Sequence, residues 1–310
     1  MSATTWRQAL SDLRTWKRGS TRAVHKPLLT LMLIARASRG EANDVTYAEI
    51  AEPLAKLLKE FGPNRTAYHP EFPFWHLRSD GFWVVRDADS YPLKKGGSSP
   101  SKGTLLKHEA AGFVKPELWE SLVGDPRLQA ELADMLLVEF WPETLHGALR
   151  QAVGLPDLGR VSGRRRKRDA SFREDVLRAY RSECAVCSFD GRLAGVPLGI
   201  EAAHVRWHAY GGADIVSNGL ALCNFHHLAL DTGAMGIDPQ RRILVSCDVS
   251  GSRRVEELLY RYEGREIREP QPGIPGLSDE SIKWHGKEVF KSPGRGWSRK
   301  EGGGSCPVEM

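Results

Sequence analysis

Residues 218–231, NGLALCNFHHLALD, decide the fold of the C-terminal half, together with CAVC at residues 184–187 and EAAH at residues 201–204. Two ligand pairs lie in this stretch, Cys184-x2-Cys187 and Cys223-x2-His226. Each pair has the spacing that closes a tight turn around a tetrahedral zinc ion. The pattern therefore predicts a structural Zn²⁺ site with three cysteines and one histidine.

Four further polar residues of the same stretch do not belong to the zinc pattern, and they are His204, Asn218, His227 and Asp231. His227 and Asp231 are four positions apart in a segment expected to be helical, so their side chains can hold a divalent cation together. His204 follows an apolar, β-leaning run and is expected on or at the end of a strand, where a neutral imidazole can deprotonate water. Asn218-Gly219 marks a turn before the helix.

This order of residues resembles that of the HNH (ββα-metal) endonucleases, over about residues 171–290. The resemblance implies that His204 is the general base, that Asn218 fixes the loop holding this base, and that His227 binds the catalytic metal with Asp231 as the second helix ligand. It also implies phosphodiester hydrolysis, in which a Mg²⁺ or Mn²⁺ ion stabilises the phosphorane and the departing 3′ oxygen. In the family's zinc-binding variant, a fourth cysteine is commoner at the position of His226.

One position departs from the family pattern, because many members place Asp or His directly before the base and this chain has Ala203. Glu201 lies on the same strand face by the period of two, and it can offer an oxygen directly or through water. The alternative for Glu201 is a solvated or salt-bridged carboxylate. For the whole stretch, the alternative is a zinc-stabilised fold with incidental histidines, but so many suitable residues in the family's order would rarely arise by chance.

The length of 310 residues fits two domains. We expect a reader domain at 1–153, a basic linker at 154–170, a nuclease domain at 171–290 and a disordered tail at 291–310. The net charge is +5, and cations that we expect to contact phosphates are concentrated in the linker: Arg160, Arg164, Arg165, Arg166, Lys167 and Arg168. The alternative for this run is a solvated segment that keeps the linker extended.

The sequence has no apolar run long enough to cross a membrane, and its first residues lack the layout of a signal peptide. Three of the five cysteines fit the zinc pattern, which favours a reducing compartment over a disulfide framework. We therefore expect a cytoplasmic protein with no membrane contact.

The N-terminal half shows helical apolar spacing at 6–16, 28–37 and 50–58. Residues 72–85 alternate around Ser79-Asp80-Gly81, as a β-hairpin should. Several helices followed by a hairpin predict a mostly helical, winged-helix-like domain, and the whole chain is expected to be α+β.

A second resemblance lies in VHKPLL at 24–29, EFGP at 60–63, HPEFPFWHL at 69–77 and GFW at 81–83. These motifs look like those of the sulphur-binding domain of McrA-like type IV restriction enzymes, which cut phosphorothioate-modified DNA. The resemblance covers roughly residues 5–153. The family's domain order, with the sulphur-binding domain first and the HNH domain last, is the order of the motifs in this chain.

The resemblance implies a pocket in which an aromatic residue, a proline and basic residues surround the sulphur. The best local match is Tyr91-Pro92 followed by Lys94 and Lys95, which we expect to touch phosphates from a loop. Candidates for the neighbouring phosphate or base edge are Arg22, His25 and Lys26. Two simpler alternatives remain open: Tyr91-Pro92 is only a turn with a packed ring, and His25-Lys26-Pro27 is only the start of a helix.

The sequence thus predicts a restriction endonuclease that reads phosphorothioated double-stranded DNA and cuts nearby. A second hypothesis keeps the nuclease and gives the first domain methylated cytosine or an unmodified sequence to read. A third is a catalytically silent, zinc-stabilised DNA-binding regulator, in case the missing ligand at Ala203 prevents binding of the catalytic metal. Cutting both strands with one HNH site requires either a homodimer or successive nicking.

Overall fold

The computed structural model of the chain describes residues 3–19, 21–155 and 170–296. The chain divides into two compact units, residues 1–165 and 166–310. Each unit combines helices with small sheets, which confirms the predicted α+β class. The predicted domain bounds stay predictions, and the six cations of the predicted linker lie outside the described residues.

The first unit is mostly helical. Its helices are α1 (Ala3–Ser11), α2 (His25–Ser38), α3 (Tyr47–Phe61), α4 (Glu71–His76), α5 (Lys102–Lys107), α6 (Pro116–Val123), α7 (Pro126–Phe140) and α8 (Glu143–Val153). Its strands are β1 (Lys17–Arg18), β2 (Thr21–Arg22), β3 (Val45–Thr46), β4 (Trp83–Val85) and β5 (Ala111–Val114). β1 pairs with β2, and the other three form an antiparallel sheet in the order β3-β5-β4.

Helix α2 runs through the core of this unit, because apolar residues occupy nearly all of its faces and most of them are fully buried. It packs against α7, α4 and α6. Helix α3 begins at a capping box, in which Thr46 accepts from the backbone N–H of Glu49 and the Glu49 carboxylate accepts from the backbone N–H of Thr46. The three N-terminal segments with helical spacing are thus helices, with boundaries shifted by a few residues.

The predicted hairpin over 72–85 is wrong. Its first half is the helix α4 followed by a 3-10 turn at Leu77–Asp80, and only the second half is a strand, which pairs with β5. Pro73 lies in the first turn of α4, where a missing backbone N–H costs the helix nothing. The winged-helix-like prediction relied on this hairpin as its wing, so the structure does not support that detail.

The second unit contains helices α9 (Ala170–Ala179), α10 (Asn224–Asp231), α11 (Arg253–Leu258) and α12 (Asp279–Glu288). Its strands are β6 (Arg192–Leu193), β7 (Val196–Pro197), β8 (Ile200–His204), β9 (Gly219–Cys223), β10 (Met235–Ile237) and β11 (Ile243–Val245). Three antiparallel pairs form: β6 with β7, β8 with β9, and β10 with β11. β9 runs directly into α10, so β8, β9 and α10 form a continuous ββα segment.

The register of β8 and β9 places Ile200 opposite Cys223 and His204 opposite Gly219. Helix α9 packs across both strands. A Cβ atom on Gly219 would lie 2.5 Å from Val176 Cγ2 and 3.0 Å from the Phe172 ring, so glycine permits this close approach of helix and strand. The packing fixes the strand end that carries His204.

In the parts of the chain that the structure describes, no helix combines the length and apolarity needed to cross a membrane. Cys306 lies outside the described residues.

Candidate functional site

Four donor atoms form a compact cluster where the turn after α9 meets the start of α10. The ligand atoms of Cys184, Cys187, Cys223 and His226 all lie within 4.8 Å of one another. Cys187 Sγ and Cys223 Sγ are 4.0 Å apart, close to the roughly 3.8 Å edge of a tetrahedron with zinc–sulfur bonds of about 2.3 Å. The cluster therefore has the size and donor set of a structural zinc site.

The hydrogen bonds around this cluster suit metal ligation. His226 Nδ1 lies 3.1 Å from Cys223 Sγ, while the opposite ring nitrogen, Nε2, donates to the Leu258 carbonyl at 2.9 Å. That bond fixes the tautomer that leaves Nδ1 as the ligand atom.

His204 ends β8, as predicted, and its ring is held on two sides. The His204 ring stacks on the Phe172 ring with centroids 4.0 Å apart, and His204 Nε2 lies 2.7 Å from Asp214 Oδ1. The side chains of His204 and Asp214 are only 12% and 21% exposed. Asp214 did not figure in the sequence prediction, since a lone aspartate in a loop has no spacing signal.

Asn218 closes the loop that separates His204 from β9. Its side-chain oxygen accepts from the backbone N–H of Arg206 at 2.9 Å, and its amide donates to the carbonyls of Arg206 and Ala213, each at 3.0 Å. A Cβ atom on Gly212 would lie 1.8 Å from the Arg206 carbonyl oxygen, so only glycine fits inside this closed loop. This geometry is what a loop-fixing asparagine requires.

His227 and Asp231 project from one face of α10, where His227 Nε2 lies 3.3 Å from Asp231 Oδ2. Both residues are buried. The second carboxylate oxygen, Oδ1, accepts a hydrogen bond from Trp207 Nε1 at 3.0 Å. An imidazole and a carboxylate held side by side form a donor set that suits a divalent cation. Trp207 is a supporting residue that the sequence prediction did not include.

Three further residues of the second unit lie near these groups. Ala203 is fully buried and offers no ligand atom. Glu201 faces Arg173, with Oε2 3.3 Å from Nε, in agreement with the salt-bridged alternative. His208 is 41% exposed in its side chain, and its Nε2 lies 3.7 Å from Asp214 Oδ2.

In the first unit, the predicted sulphur-binding residues differ in their exposure and in their partners. Tyr91 is 9% exposed, and its ring lies edge-on to Trp75 and His108. Pro92 and Lys95 are exposed, and Lys94 Nζ lies 3.4 Å from Glu71 Oε1. Tyr91-Pro92 therefore combines a packed ring with an exposed proline, as the simpler alternative describes.

The other predicted contacts are engaged within the unit. Arg22 pairs with Glu139 at 2.7 Å and lies 3.9 Å from the centroid of the Phe140 ring. Lys26 pairs with Asp80. Burial lowers the pKa of His25 to about 4, and the positive charges of His69 and Arg65 act in the same direction. His25 is thus a neutral ring at neutral pH, at the first position of α2.

A further aromatic residue has the exposure that a binding surface needs. Phe72 on α4 is 37% exposed and stacks on His69 with centroids 4.8 Å apart. Lys94 Nζ lies 5.1 Å from the centroid of the Phe72 ring. The sequence prediction assigned residues 72–85 to a hairpin, and this hid an exposed ring that lies beside a cation and is followed by Pro73.

Two family models match the chain. One is described as "ScoMcrA-like, DNA sulfur-binding domain" and matches residues 3–158, which is half of the chain. The other is described as "HNH endonuclease" and matches residues 184–238. This second match contains the zinc-type cluster, His204, Asn218, His227 and Asp231. No curated protein matches the chain.

Several solved structures are similar to it. The sulfur binding domain of ScoMcrA complexed with phosphorothioated DNA is 22% identical with a TM-score of 0.43, and the match covers 48% of this chain and 94% of that one. The sulfur binding and SRA domains of ScoMcrA complexed with phosphorothioated DNA are 21% identical with a TM-score of 0.46. That match covers 64% of this chain and 59% of that one. The type IV phosphorothioation-dependent restriction endonuclease ScoMcrA is 22% identical with a TM-score of 0.42. That match covers 49% of this chain and 28% of that one, so it spans about a quarter of that enzyme.

Proposed function

Since this chain belongs to the ScoMcrA-like DNA sulfur-binding domain family and carries an HNH endonuclease domain, we propose that it is a restriction endonuclease that recognises phosphorothioated DNA and hydrolyses phosphodiester bonds nearby. One observation carries the nuclease half of this proposal. The ββα segment within the HNH match bears a histidine at the end of β8, an asparagine that closes the following loop, and a histidine and an aspartate side by side on α10.

The residues of the second unit have distinct tasks in this reaction. His204 takes a proton from water, which then attacks the phosphorus. Asn218 keeps the loop after β8 closed, so that the His204 ring stays in place. His227 and Asp231 would hold a Mg²⁺ or Mn²⁺ ion, which supplies positive charge for the phosphate and the leaving 3′ oxygen. Trp207 orients the Asp231 carboxylate through its indole N–H.

We further propose that the four-residue Cys/His cluster binds Zn²⁺ and has no role in the chemical step. Its function is to hold the turn after α9 against the first turn of α10, which carries His227. Structural zinc sites act in this way, since binding of the metal contributes directly to folding.

The first unit would select the DNA. A phosphorothioate replaces a non-bridging oxygen by a larger, weakly hydrated sulphur, so discrimination requires a small apolar surface beside cations that bind phosphate. Phe72 and Lys94 offer this combination: an exposed ring with an ammonium group 5.1 Å from its centroid. We therefore place the sulphur near Phe72, with Pro92 and Lys95 as neighbouring exposed candidates from the predicted set.

The decisive experiment compares two identical duplexes, one with a single R_P phosphorothioate and one without it, for binding and for Mn²⁺-dependent cleavage. Preferential binding and cutting of the modified duplex supports both halves of the proposal. Equal cutting of both duplexes retains the nuclease and rejects the sulphur reader, and duplexes with methylated cytosine are then tested. Binding without any cutting, over a series of divalent cations, points instead to the DNA-binding regulator.

Two further parts of the proposal concern the cell and the assembly. We propose a cytoplasmic location, where a restriction enzyme meets foreign DNA. Cutting of both strands would require two copies of the chain or two successive nicks, since each chain contributes one His204. Cleavage of a supercoiled plasmid distinguishes them, because successive nicking accumulates the open circle before the linear form.

A further inference from the structure

We infer that Asp214 is a positioning residue for the general base: its carboxylate holds His204 in the tautomer whose Nδ1 takes the proton from water. The inference rests on the proposed nuclease function. It adds Asp214 to the residues already assigned to it, which are His204, Asn218, His227 and Asp231. Asp214 lies ten positions after His204, in the loop between β8 and β9.

The contact is short and mostly shielded from solvent. His204 Nε2 and Asp214 Oδ1 are 2.7 Å apart, which is a charge-assisted hydrogen bond by length. An ionised carboxylate can only accept, so Nε2 carries the hydrogen and donates it. On one face, the Phe172 ring covers the imidazole in a stacked arrangement, with 17° between the ring planes. The ring is thus fixed in rotation by Asp214 and in tilt by Phe172.

The backbone around Asp214 is itself held in place. The Asn218 amide donates to the carbonyl of Ala213, the residue directly before Asp214. The same side chain accepts from the backbone N–H of Arg206 and donates to the Arg206 carbonyl. Asn218 therefore acts on His204 indirectly, by holding the segment that carries Asp214. Asn218 therefore has a specific role, because it places the Asp214 carboxylate next to Nε2 of His204.

The chemical consequence follows from the two ring nitrogens. With Nε2–H directed to Asp214, the base function falls on Nδ1. A water proton moves to Nδ1, and the hydroxide oxygen forms a bond to phosphorus while the bond from phosphorus to the 3′ oxygen breaks. The 3′ oxygen then takes a proton from solvent, and the imidazolium later releases one to solvent. During the step, the carboxylate stabilises the positive charge that develops on the ring.

The test compares three variants of the full chain. Asp214→Ala removes the acceptor, Asp214→Asn keeps an oxygen acceptor but removes the charge, and Asp190→Asn removes a charge from an exposed aspartate of the same unit as a matched control. We measure kcat on the cleaved duplex, affinity for DNA in the absence of divalent cations, the melting temperature, and the dependence of kcat on pH.

We expect Asp214→Ala to lower kcat on the order of a hundredfold with unchanged affinity for DNA. Asp214→Asn should lower it less, on the order of tenfold, and should move the acidic limb of the pH profile to lower pH, since a neutral amide stabilises the imidazolium less than a carboxylate does. Asp190→Asn should behave as the wild type. A merely structural role would lower the melting temperature without moving the acidic limb.

The tautomer of His204 can also be measured without any cleavage, so the role of Asp214 can be tested independently of the proposed function. Long-range ¹H–¹⁵N spectra of the imidazoles report the tautomer of each neutral histidine, and His204→Gln identifies the signal of His204. We expect the Nε2–H tautomer in the wild type and a mixture of tautomers in Asp214→Ala. An unchanged tautomer in Asp214→Ala, or a kcat within threefold of the wild type, overturns the inference. If the wild type cuts no duplex, the proposed function fails, and the spectra alone decide the role of Asp214.

Discussion

His226 and His227 are consecutive residues of α10, yet they belong to two different sites. His226 Nδ1 lies 3.1 Å from Cys223 Sγ in the Cys/His cluster, and His227 Nε2 lies 3.3 Å from Asp231 Oδ2, one helical turn further along. One turn of helix therefore connects the cluster to the candidate metal ligands. A change at the cluster must displace His227 unless the helix start is held by other contacts.

We predict that loss of zinc abolishes cleavage. His226→Ala should contain substoichiometric zinc and lose several kcal/mol of unfolding free energy in the second unit, because binding of a structural zinc contributes directly to folding. His226→Cys restores a four-cysteine set and should retain the metal. Zinc content by atomic emission, thermal unfolding and cleavage of a labelled duplex provide the measurements. Equal zinc content in all three proteins would show that His226 is not a ligand, and cleavage by a zinc-free protein would contradict the prediction.

His204→Ala should abolish cleavage while leaving binding of DNA intact, because it removes the base and no group assigned to binding. Asp190→Asn is the control, since Asp190 is an exposed residue of the same unit, and it should cut within about threefold of the wild type. Cleavage of a labelled duplex and a binding titration without divalent cations test both variants. Cutting by His204→Ala at the wild-type rate would show that another group is the base.

For the first unit, we predict that Phe72→Ala weakens binding of phosphorothioated DNA more than binding of plain DNA. Its ring is exposed, so removing it should cost little stability. Tyr91→Ala, in contrast, removes a ring packed against Trp75 and His108 and should lower the unfolding free energy by about 3 kcal/mol or more. Binding titrations on both duplexes, with thermal unfolding, separate the two effects. A selective loss of sulphur recognition in a folded Tyr91→Ala protein would restore the assignment made from the sequence.

The stability of the first unit should fall as the solution is acidified from pH 6.5 to pH 4. Burial lowers the pKa of His25 from 6.5 to about 4, so the folded state binds fewer protons than the unfolded state in this window. The stabilisation is fully present above pH 6.5, and up to about 3 kcal/mol is lost as the pH falls toward 4. His25→Gln removes the titrating group, and denaturant unfolding of both proteins across this range should show a shallower slope for the variant. Identical slopes would mean that folding does not lower the pKa of His25.

The sequence predicted the second unit more closely than the first, and the physical reason lies in the distance over which each pattern acts. The cluster and the His227–Asp231 pair depend on spacings of two to four residues, which a turn or one helical step fixes locally. The contact of Asp214 with His204 depends on the path of a closed loop. The Asn218 hydrogen bonds and the space left at Gly212 set the path of this loop. Neither feature can be recognised from the spacing of residues in the sequence.

The error at 72–85 has a related cause. Alternating apolar residues fit a strand, but prolines in the first half favour the start of a helix, and pairing of β4 with the distant β5 gave no local signal. Similarly, Arg22 and Lys26 are as basic as a phosphate contact requires. Their actual partners, Glu139 and Asp80, lie far away in the sequence, so the ion pairs formed only in the folded unit.

The hydrogen bond from Trp207 Nε1 to Asp231 places a tryptophan beside the candidate metal ligands. Trp207 also lies edge-on to Trp284, with ring centroids 5.8 Å apart, so a change at the carboxylate alters the surroundings of a fluorophore pair. Binding of a cation at Asp231 would therefore change the tryptophan emission spectrum, and no label would be needed. The chain has nine tryptophans, and the difference between the wild type and Trp207→Phe isolates this contribution. Affinity for different cations can then be ranked in solution even where no DNA is cut.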